Sequence, residues 1–411
     1  MMLPTRAVLA SRDAADPLAF ARARFTLPPG VLYLDGNSLG PLPAATPARL
    51  ADVIAGEWGE GLIRSWNDAG WIDLAMTIGA RIAPLLGAEP DSVVACDSVS
   101  VNLFKLAGGA LALQTATDPA RRVLLCEADD FPTDRHVLEG LAAATGAELR
   151  TVPRGGVPAA LGPDIAVAVL AHVHFATGAV HDMAALSAQV TAAGALSLWD
   201  LSHSAGALAL ALDADGADFA VGCGYKYLNG GPGAPAFAWV APRHQAALWP
   251  PLRGWMGHAA PFGFSDHWTP ADGVRRLLAG TPSILALAAL GEGVATFDGI
   301  DMAAAEAKSR ALVTLFADLV AAHCPAVTVE PPGPRHGAQV ILRHPEGRRV
   351  MAALIARGVI GDFRPPDRLR FGFPALYTRF VDVFDAVGHL AAVLASDEWQ
   401  EARFDVLGVV S

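Results

Sequence analysis

Lysine is nearly absent from this chain. Among 411 residues there are three, Lys105, Lys226 and Lys308, and arginine supplies the other 27 of the 30 basic residues. Arginine stays protonated near neutral pH and cannot serve as an amine nucleophile or a base, whereas lysine can when its surroundings lower its pKa. A chain that has drifted toward arginine keeps lysine where arginine fails, or where chance left it. Charge of any kind is also sparse, at 17% of residues with a net charge of −11, and no basic stripe or long block of like charge is present. That excludes the usual nucleic-acid binder.

Cysteine is scarce as well: Cys96, Cys126, Cys223 and Cys324, with no C-x-x-C pair. Zinc ribbons and thioredoxin-type redox sites are therefore not expected, and scattered thiols suit a reducing compartment. The longest apolar stretch, Ile165 to Val180, contains His172 and His174 and is shorter than the ~20 residues of a membrane span. The opening MMLPTRAVLASRDAAD has no apolar core followed by a cleavage site, so no signal peptide is expected. Internal repeats and low-complexity tracts are missing too. The expectation is a soluble, cytoplasmic globular protein.

What is present is a 53% hydrophobic chain long enough for two domains. SVVAC (Ser92–Cys96), RVLLCE (Arg122–Glu127), IAVAVLAHVHF (Ile165–Phe175), ALSLWD (Ala195–Asp200) and DFAVGCG (Asp218–Gly224) read as buried strands. RHVLEGLAAATGA and MAALSAQVTAAGA between them suit amphipathic helices ending at glycine. Alternating strands and helices imply an α/β domain on a mostly parallel sheet flanked by helices. Beyond it, DMAAAEAKSRALVTLFADLVAAHC (Asp301–Cys324) reads as a long helix. AVTVEPP and AQVILRHP read as strands, followed by a helix over about Arg349–Arg357. That is a smaller α+β carboxy-terminal domain. The expected division is 1–48 for an amino-terminal segment packing with the small domain and substrate site, 49–284 for the large domain and 285–411 for the small one.

In an open α/β sheet, ligands gather beyond the carboxyl ends of the strands. Polar and aromatic residues stand there: Ser98 and Ser100 in DSVSVN, Phe131 and Asp134 in EADDFPTD, Asp200 and His203 in WDLSHSAG, Tyr225 and Lys226 in GCGYKYLNGG. A helix start with hydroxyls suits a phosphate. An aromatic face suits stacking, a carboxylate at a strand end keeps a ring nitrogen protonated, and a lysine forms an imine with an aldehyde. Pyridoxal 5′-phosphate has all four matching features.

YLDGNSLG (Tyr33–Gly40), SVNLFK (Ser100–Lys105), FPTD (Phe131–Asp134), WDLSHSAG (Trp199–Gly206), YKYLNGGPG (Tyr225–Gly233), GWMGH (Gly254–His258) and RFGFPALYTRF (Arg370–Phe380) follow one another along the chain. This ordered set resembles the kynureninase family of fold-type-I pyridoxal-phosphate enzymes. The resemblance implies hydrolytic Cβ–Cγ cleavage of L-kynurenine to anthranilate and L-alanine within tryptophan catabolism, the kynurenine route toward NAD. It also implies a homodimer with shared active sites and no nucleic-acid or membrane partner.

It assigns roles as follows. Lys226 would carry the cofactor and move the Cα proton. Asp200 would pair with the ring nitrogen, Phe131 would stack on the ring and His203 would lie beside it. Val99, through its backbone, and Ser100 would bind the phosphate end with Asp134 nearby. Tyr225 would contact the phosphate and relay a proton. Trp255 and Thr281 would reach the phosphate from a neighbouring subunit. Arg370 would clamp the substrate carboxylate with its planar fork, and Asn37, Ser38, Trp66 and His258 would complete the substrate site. Ala171 stands where family members often have a hydroxyl, and Ser202 stands where alanine is usual, a benign change by expectation. Trp66, Gly280 and Thr281 are similar to bacterial members that favour plain kynurenine over its ring-hydroxylated form.

Plainer readings accompany each residue. Lys226 could be a surface loop lysine, though the glycines follow it and no Gly-Lys-Ser/Thr P-loop is present. Asp200, Ser98 and Ser100 could be helix caps. His203, Phe131 and Trp255 could be packing residues, and Arg370 could hold a structural carboxylate, with Arg364 and Arg368 close by in sequence. His172 and His174 share a strand face and His181 is near, but no third ligand has a recognised spacing, so no metal is expected. Competing functions are a cysteine desulfurase or class V aminotransferase on the same fold, and a catalytically dead homologue serving as a binding protein. A desulfurase needs a reactive cysteine past the lysine; Cys324 is the candidate, and it ends a long apolar helix.

Overall fold

The computed structural model describes residues 3–330, 333 and 335–405. β1 (Val93–Ala95), β2 (Val123–Glu127), β3 (Glu148–Val152), β4 (Ile165–Ala171), β5 (Leu196–Asp200), β6 (Phe219–Gly222) and β7 (Phe237–Val240) form a seven-stranded sheet in the order β1-β7-β6-β5-β4-β2-β3. Strand β7 runs against both its neighbours, while β3, β2, β4, β5 and β6 are mutually parallel. Strands covered on both faces must be apolar throughout, and every residue of β4 is buried. The edge strand β3 is ELRTV, with no fully buried position.

The flanking helices start where their sequences provide caps. Ser98 accepts from the Val101 N–H at 3.3 Å to open the helix Val99–Thr117. Pro132 opens the helix Pro132–Thr145, and Gly146, at φ 71°, ends it. Asp182 caps Met183–Ala192 in the same way.

The second domain holds β8 (Thr328–Val329), β9 (Gln339–Arg343), β10 (Asp362–Arg364) and β11 (Arg368–Gly372), an antiparallel sheet in the order β8-β9-β11-β10. Pro331 and Pro332, which end the expected strand AVTVEPP, lie outside the described residues. Helices Met302–His323, Gly347–Ala356 and Phe380–Ala395 bury Leu312, Phe316, Leu354 and Leu390 with Phe371 and Phe373 of the sheet side. The amino-terminal segment joins this core. Leu9 and Leu34 are part of it, Arg6 forks onto Asp385 at 2.8 Å, and Leu32–Tyr33 runs parallel to Val359–Ile360.

One boundary differs from the expectation. The helix Ile284–Ala295 buries Leu287, Leu290 and Val294 in the larger core. Its apolar face meets the helix Leu74–Leu86, so the change of core falls after residue 295 and not at 284/285.

Candidate active site

A cavity of about 230 Å³ opens at the carboxyl ends of the parallel strands. Ser98, Val99 and Ser100 enter it from beyond β1, Phe131 and Asp134 from beyond β2, Ala171 and Phe175 from the end of β4, Asp200 and His203 from β5, and Tyr225 and Lys226 from beyond β6. Of the ten residues expected around the cofactor, eight line this cavity, namely Lys226, Tyr225, Asp200, Val99, Ser100, Phe131, Asp134 and His203, whereas Trp255 and Thr281 do not.

The lysine turn is held by glycines at close approaches. Gly230 donates to the Gly224 carbonyl at 2.9 Å, and Gly40 donates to the Tyr225 carbonyl at 2.8 Å. A Cβ at Gly40 would stand 2.5 Å from the Lys226 carbonyl oxygen, so only glycine lets the amino-terminal segment lie on the turn.

Lys226 Nζ lies 3.0 Å from His203 Nε2, and His203 Nδ1 lies 3.1 Å from Gln339 Oε1. Burial, then the charges of Lys226 and Arg370, hold the His203 imidazole well below its ordinary pKa, so the ring is neutral. Asp200 accepts from the Ser202 N–H at 2.8 Å and from the Ser202 hydroxyl at 2.6 Å. Asp134 is hydrogen-bonded to Asp200, and burial, then the Asp200 and Asp130 charges, push its pKa well up. Behind it, burial and the charge of Glu127 raise Asp130 to about 7. Phe131 is 43% exposed and meets Phe175 edge to face, ring centroids 5.3 Å apart.

These features fit the expected cofactor. Two adjoining carboxylates at a cavity wall call for a proton between them or a cationic partner, which a protonated ring nitrogen provides. The Ser98–Ser100 helix start offers backbone N–H groups to an anion, Phe131 leaves a ring face open, and Lys226 is the lysine of the wall. Lys105 and Lys308 are committed elsewhere: Lys105 to Asp97 at 2.6 Å and the Leu277 carbonyl at 2.7 Å, and Lys308 to Asp16 and the Ala375 carbonyl, both at 2.6 Å.

Arg370 is 2% exposed and already bonded. It forks onto Asp362, with Nε at 2.8 Å from Oδ1 and Nη2 on Oδ2, and donates to the Ser38 hydroxyl and the Phe175 carbonyl, each at 2.8 Å. Arg364, more exposed, reaches the same Asp362 oxygen at 2.7 Å. Ser38 also donates to Asp362 at 2.9 Å. Asn37 is fully buried with neither amide atom partnered, and so is the Asp35 Oδ1.

The remaining expected residues lie away from the cavity. Trp66 packs edge to face on Trp71. Trp255 and His258 line a separate surface hollow with Phe264 and Trp268, and Thr281 is exposed. The histidines weighed as ligands each have their own partner: His172 meets the Ser204 hydroxyl at 2.9 Å, His174 the Asp129 carbonyl at 2.8 Å, and His181 the Glu127 carboxylate at 2.8 Å.

Sequence reasoning missed Phe175 and Cys223 at this cavity and Gln339 beside His203, and expected Ser202 to be a benign change from alanine without foreseeing that its hydroxyl binds Asp200. Only Ser202, next but one to a strand-end aspartate, carried a local signal, that of a residue placed to form an Asx-type turn. Cys223 lines the cavity but is buried, and burial raises its thiol; burial likewise pushes Cys324 up to about 11. Neither is a ready thiolate.

Among the described residues no single helix is long and apolar enough to cross a membrane. Comparison with known proteins adds three findings. Residues 305–390 match the family described as Kynureninase C-terminal domain. Over the full length of both chains, the sequence is 48% identical to a kynureninase of Burkholderia mallei. Solved structures share the fold at low identity. An apo cysteine desulfurase of Thermococcus onnurineus superposes with a TM-score of 0.77 at 17% identity, covering 96% of this chain and 99% of its own. A C-DES mutant with glycine covalently linked to its PLP cofactor superposes with a TM-score of 0.74 at 17% identity, covering 90% and 98%.

Proposed function

The chain belongs to the kynureninase family, and from that premise we propose that it hydrolyses the Cβ–Cγ bond of L-kynurenine, releasing anthranilate and L-alanine, with pyridoxal 5′-phosphate as cofactor. The observation that carries the reading is the meeting of Lys226 with Asp200, Phe131 and the Ser98–Ser100 helix start in one cavity. The desulfurase alternative has support only from fold neighbours below 20% identity, and Cys223 and Cys324 are both buried with raised thiols.

When bound, the cofactor supplies an electron sink for charge left on the substrate carbons. The side chains do the rest. Lys226 would hold the cofactor aldehyde and, when free, would take and return the substrate Cα proton. His203 accepts from its amine at 3.0 Å. Asp200 would pair with the ring nitrogen and keep it protonated, with Asp134, its pKa raised by burial and the Asp200 charge, beside it. Val99 N–H and the Ser100 hydroxyl would hold the phosphate at the helix start, with Tyr225 beside them. Phe131 would cover the ring and, with Phe175, would keep water off it. Arg370 would receive the substrate carboxylate by exchanging Asp362 for it, with Ser38 beside its guanidinium. Orientation and proton transfer of this kind contribute roughly 10²–10⁴-fold.

The enzyme works as a homodimer in the cytoplasm. Trp255 and Thr281 serve the partner's cavity, a reading supported by their exposure away from their own. Exposed Trp58, Ile63 and Phe264 (57%, 77% and 80%) support a covered surface. All four cysteines are free, in keeping with a reducing compartment.

The test is direct. Purified protein loaded with cofactor is yellow, absorbing near ~420 nm, and it releases fluorescent anthranilate from L-kynurenine. Lys226→Ala loses the covalent attachment, so borohydride treatment leaves no cofactor mass on the chain. Yellow protein that forms sulfide from cysteine and no anthranilate rejects the reading.

A further inference from the structure

The geometry points to Gln339 as a positioning residue for the lysine: its amide fixes which ring nitrogen of His203 carries the proton and so presents a bare nitrogen to Lys226. The inference rests on the reading that Lys226 is the working amine of the cavity.

Gln339 opens β9 of the smaller sheet, opposite Gly372 of β11, and is 1% exposed. Its side chain crosses to the larger domain. Nε2 lies 2.9 Å from the Phe175 carbonyl oxygen and 3.3 Å from that of His174. Carbonyl oxygens only accept, so the amide nitrogen must face them, and Oε1 must face His203. That oxygen, 3.1 Å from His203 Nδ1, also only accepts. Nδ1 therefore bears the ring proton, and the neutral ring leaves Nε2 bare. Nε2 is the atom 3.0 Å from Lys226 Nζ, which donates in either protonation state.

The alternative tautomer would turn an N–H toward the amine and leave Oε1 of a buried glutamine facing a second acceptor. The backbone leaves little freedom for that. A Cβ at Gly178, where φ is +72°, would touch Gln339 Cγ at 3.0 Å, so the 174–178 turn wraps closely on this side chain. The lysine's aim is thus set by a residue of the other domain that does not line the cavity.

The experiment begins with apoprotein, labelled with ¹⁵N in its imidazoles. Long-range proton–nitrogen correlation, assigned with His203→Asn, is expected to show the His203 proton on Nδ1 and a bare Nε2 at neutral pH. Gln339→Met, nearly equal in volume and without either hydrogen bond, is expected to abolish that preference while the fold is retained. In loaded enzyme, Gln339→Met is expected to lower kcat roughly tenfold, the worth of one lost hydrogen bond, and to change KM less than about twofold. In the His203→Asn background the same change is expected to add no more than about twofold, because both act through one contact. A wild-type proton on Nε2 overturns the inference, as does a Gln339→Met spectrum like wild type, or additive losses in the double variant. Apoprotein with the expected tautomer that never turns yellow with cofactor supports this assignment and rejects the function proposed above.

Discussion

Replacing Arg370 with methionine separates the arginine's structural work from its work on substrate. Its guanidinium is 2% exposed and neutralises Asp362, itself 3% exposed. Removing one partner of a buried pair costs about 3–5 kcal/mol, because the other charge stays behind. Arg364 still reaches Asp362 at 2.7 Å, which puts the expected loss at the lower end, about 3 kcal/mol. At ~2–4 °C per kcal/mol for domains of this size, the apoprotein Tm falls by roughly 6–12 °C. The loss depends on pH, and its sign follows from the carboxylates. Burial alone would raise Asp362, but the hydrogen bonds and charge of Arg370, with Arg364, hold it below the usual range. Such a group stabilises the fold above its unfolded pKa and loses that contribution as pH falls. Asp35 is raised by burial and by the charge of Asp362, and Arg370 opposes the rise. Without Arg370 both carboxylates are raised, so both then destabilise as pH increases. The Tm deficit of Arg370→Met is expected to be largest near about pH 7.5 and to shrink toward about pH 5. Thermal unfolding followed by near-ultraviolet circular dichroism reads both. Arg364→Met, at a side chain 39% exposed, is expected to lose no more than about 1 kcal/mol. A Tm for Arg370→Met within about 2 °C of the parent near pH 7.5, or a deficit that grows on acidification, refutes the reasoning.

Lys105→Met leaves Asp97 without its buried cation beside the phosphate-end helix start; cofactor affinity is expected to fall roughly tenfold, read by fluorescence titration of apoprotein, and Tm to fall by several degrees. Burial depresses His172 to about 3, so this residue stabilises the fold above the unfolded histidine pKa and loses that contribution as pH falls. His172→Gln is expected to reduce the acid-side slope of unfolding free energy by up to about 1.4 kcal/mol per pH unit between roughly pH 6 and pH 4, measured by urea titration across that window.

The larger domain was legible because its strands are covered on both faces. Continuous apolar runs such as Val123–Glu127 and Ile165–Ala171 have no other good explanation. The ligand side was legible for the same reason, since each functional side chain there follows the carboxyl end of such a run. β3 escaped notice because an edge strand needs no apolar run, and ELRTV reads as polar surface. β7 escaped notice because four residues between a proline-rich turn and a proline carry too little pattern. The resemblance assigned Trp255 and Thr281 to a neighbouring subunit, but Trp66 and His258 were named from motifs alone, and a motif does not say which cavity a residue serves.

Gln339 was invisible for a deeper reason. Nothing in AQVILRHP distinguishes a glutamine that starts an ordinary strand from one that sets a histidine's tautomer. The difference arises at the Phe175 carbonyl, which accepts from Gln339 at 2.9 Å and from Arg370 at 2.8 Å. Those donors sit on adjacent strands of the smaller sheet, Ile341 of β9 being opposite Arg370 of β11. The acceptor belongs to the larger domain. A shift of one domain against the other therefore loosens the Arg370 Nη1 bond to that carbonyl and the histidine's amide together, since carbonyl hydrogen bonds weaken steeply beyond ordinary distances, while the fork on Asp362 stays within the smaller sheet. The groups assigned to substrate carboxylate and to the cofactor amine thus share one contact, and the lysine is aimed only while the domains are seated as the arginine requires.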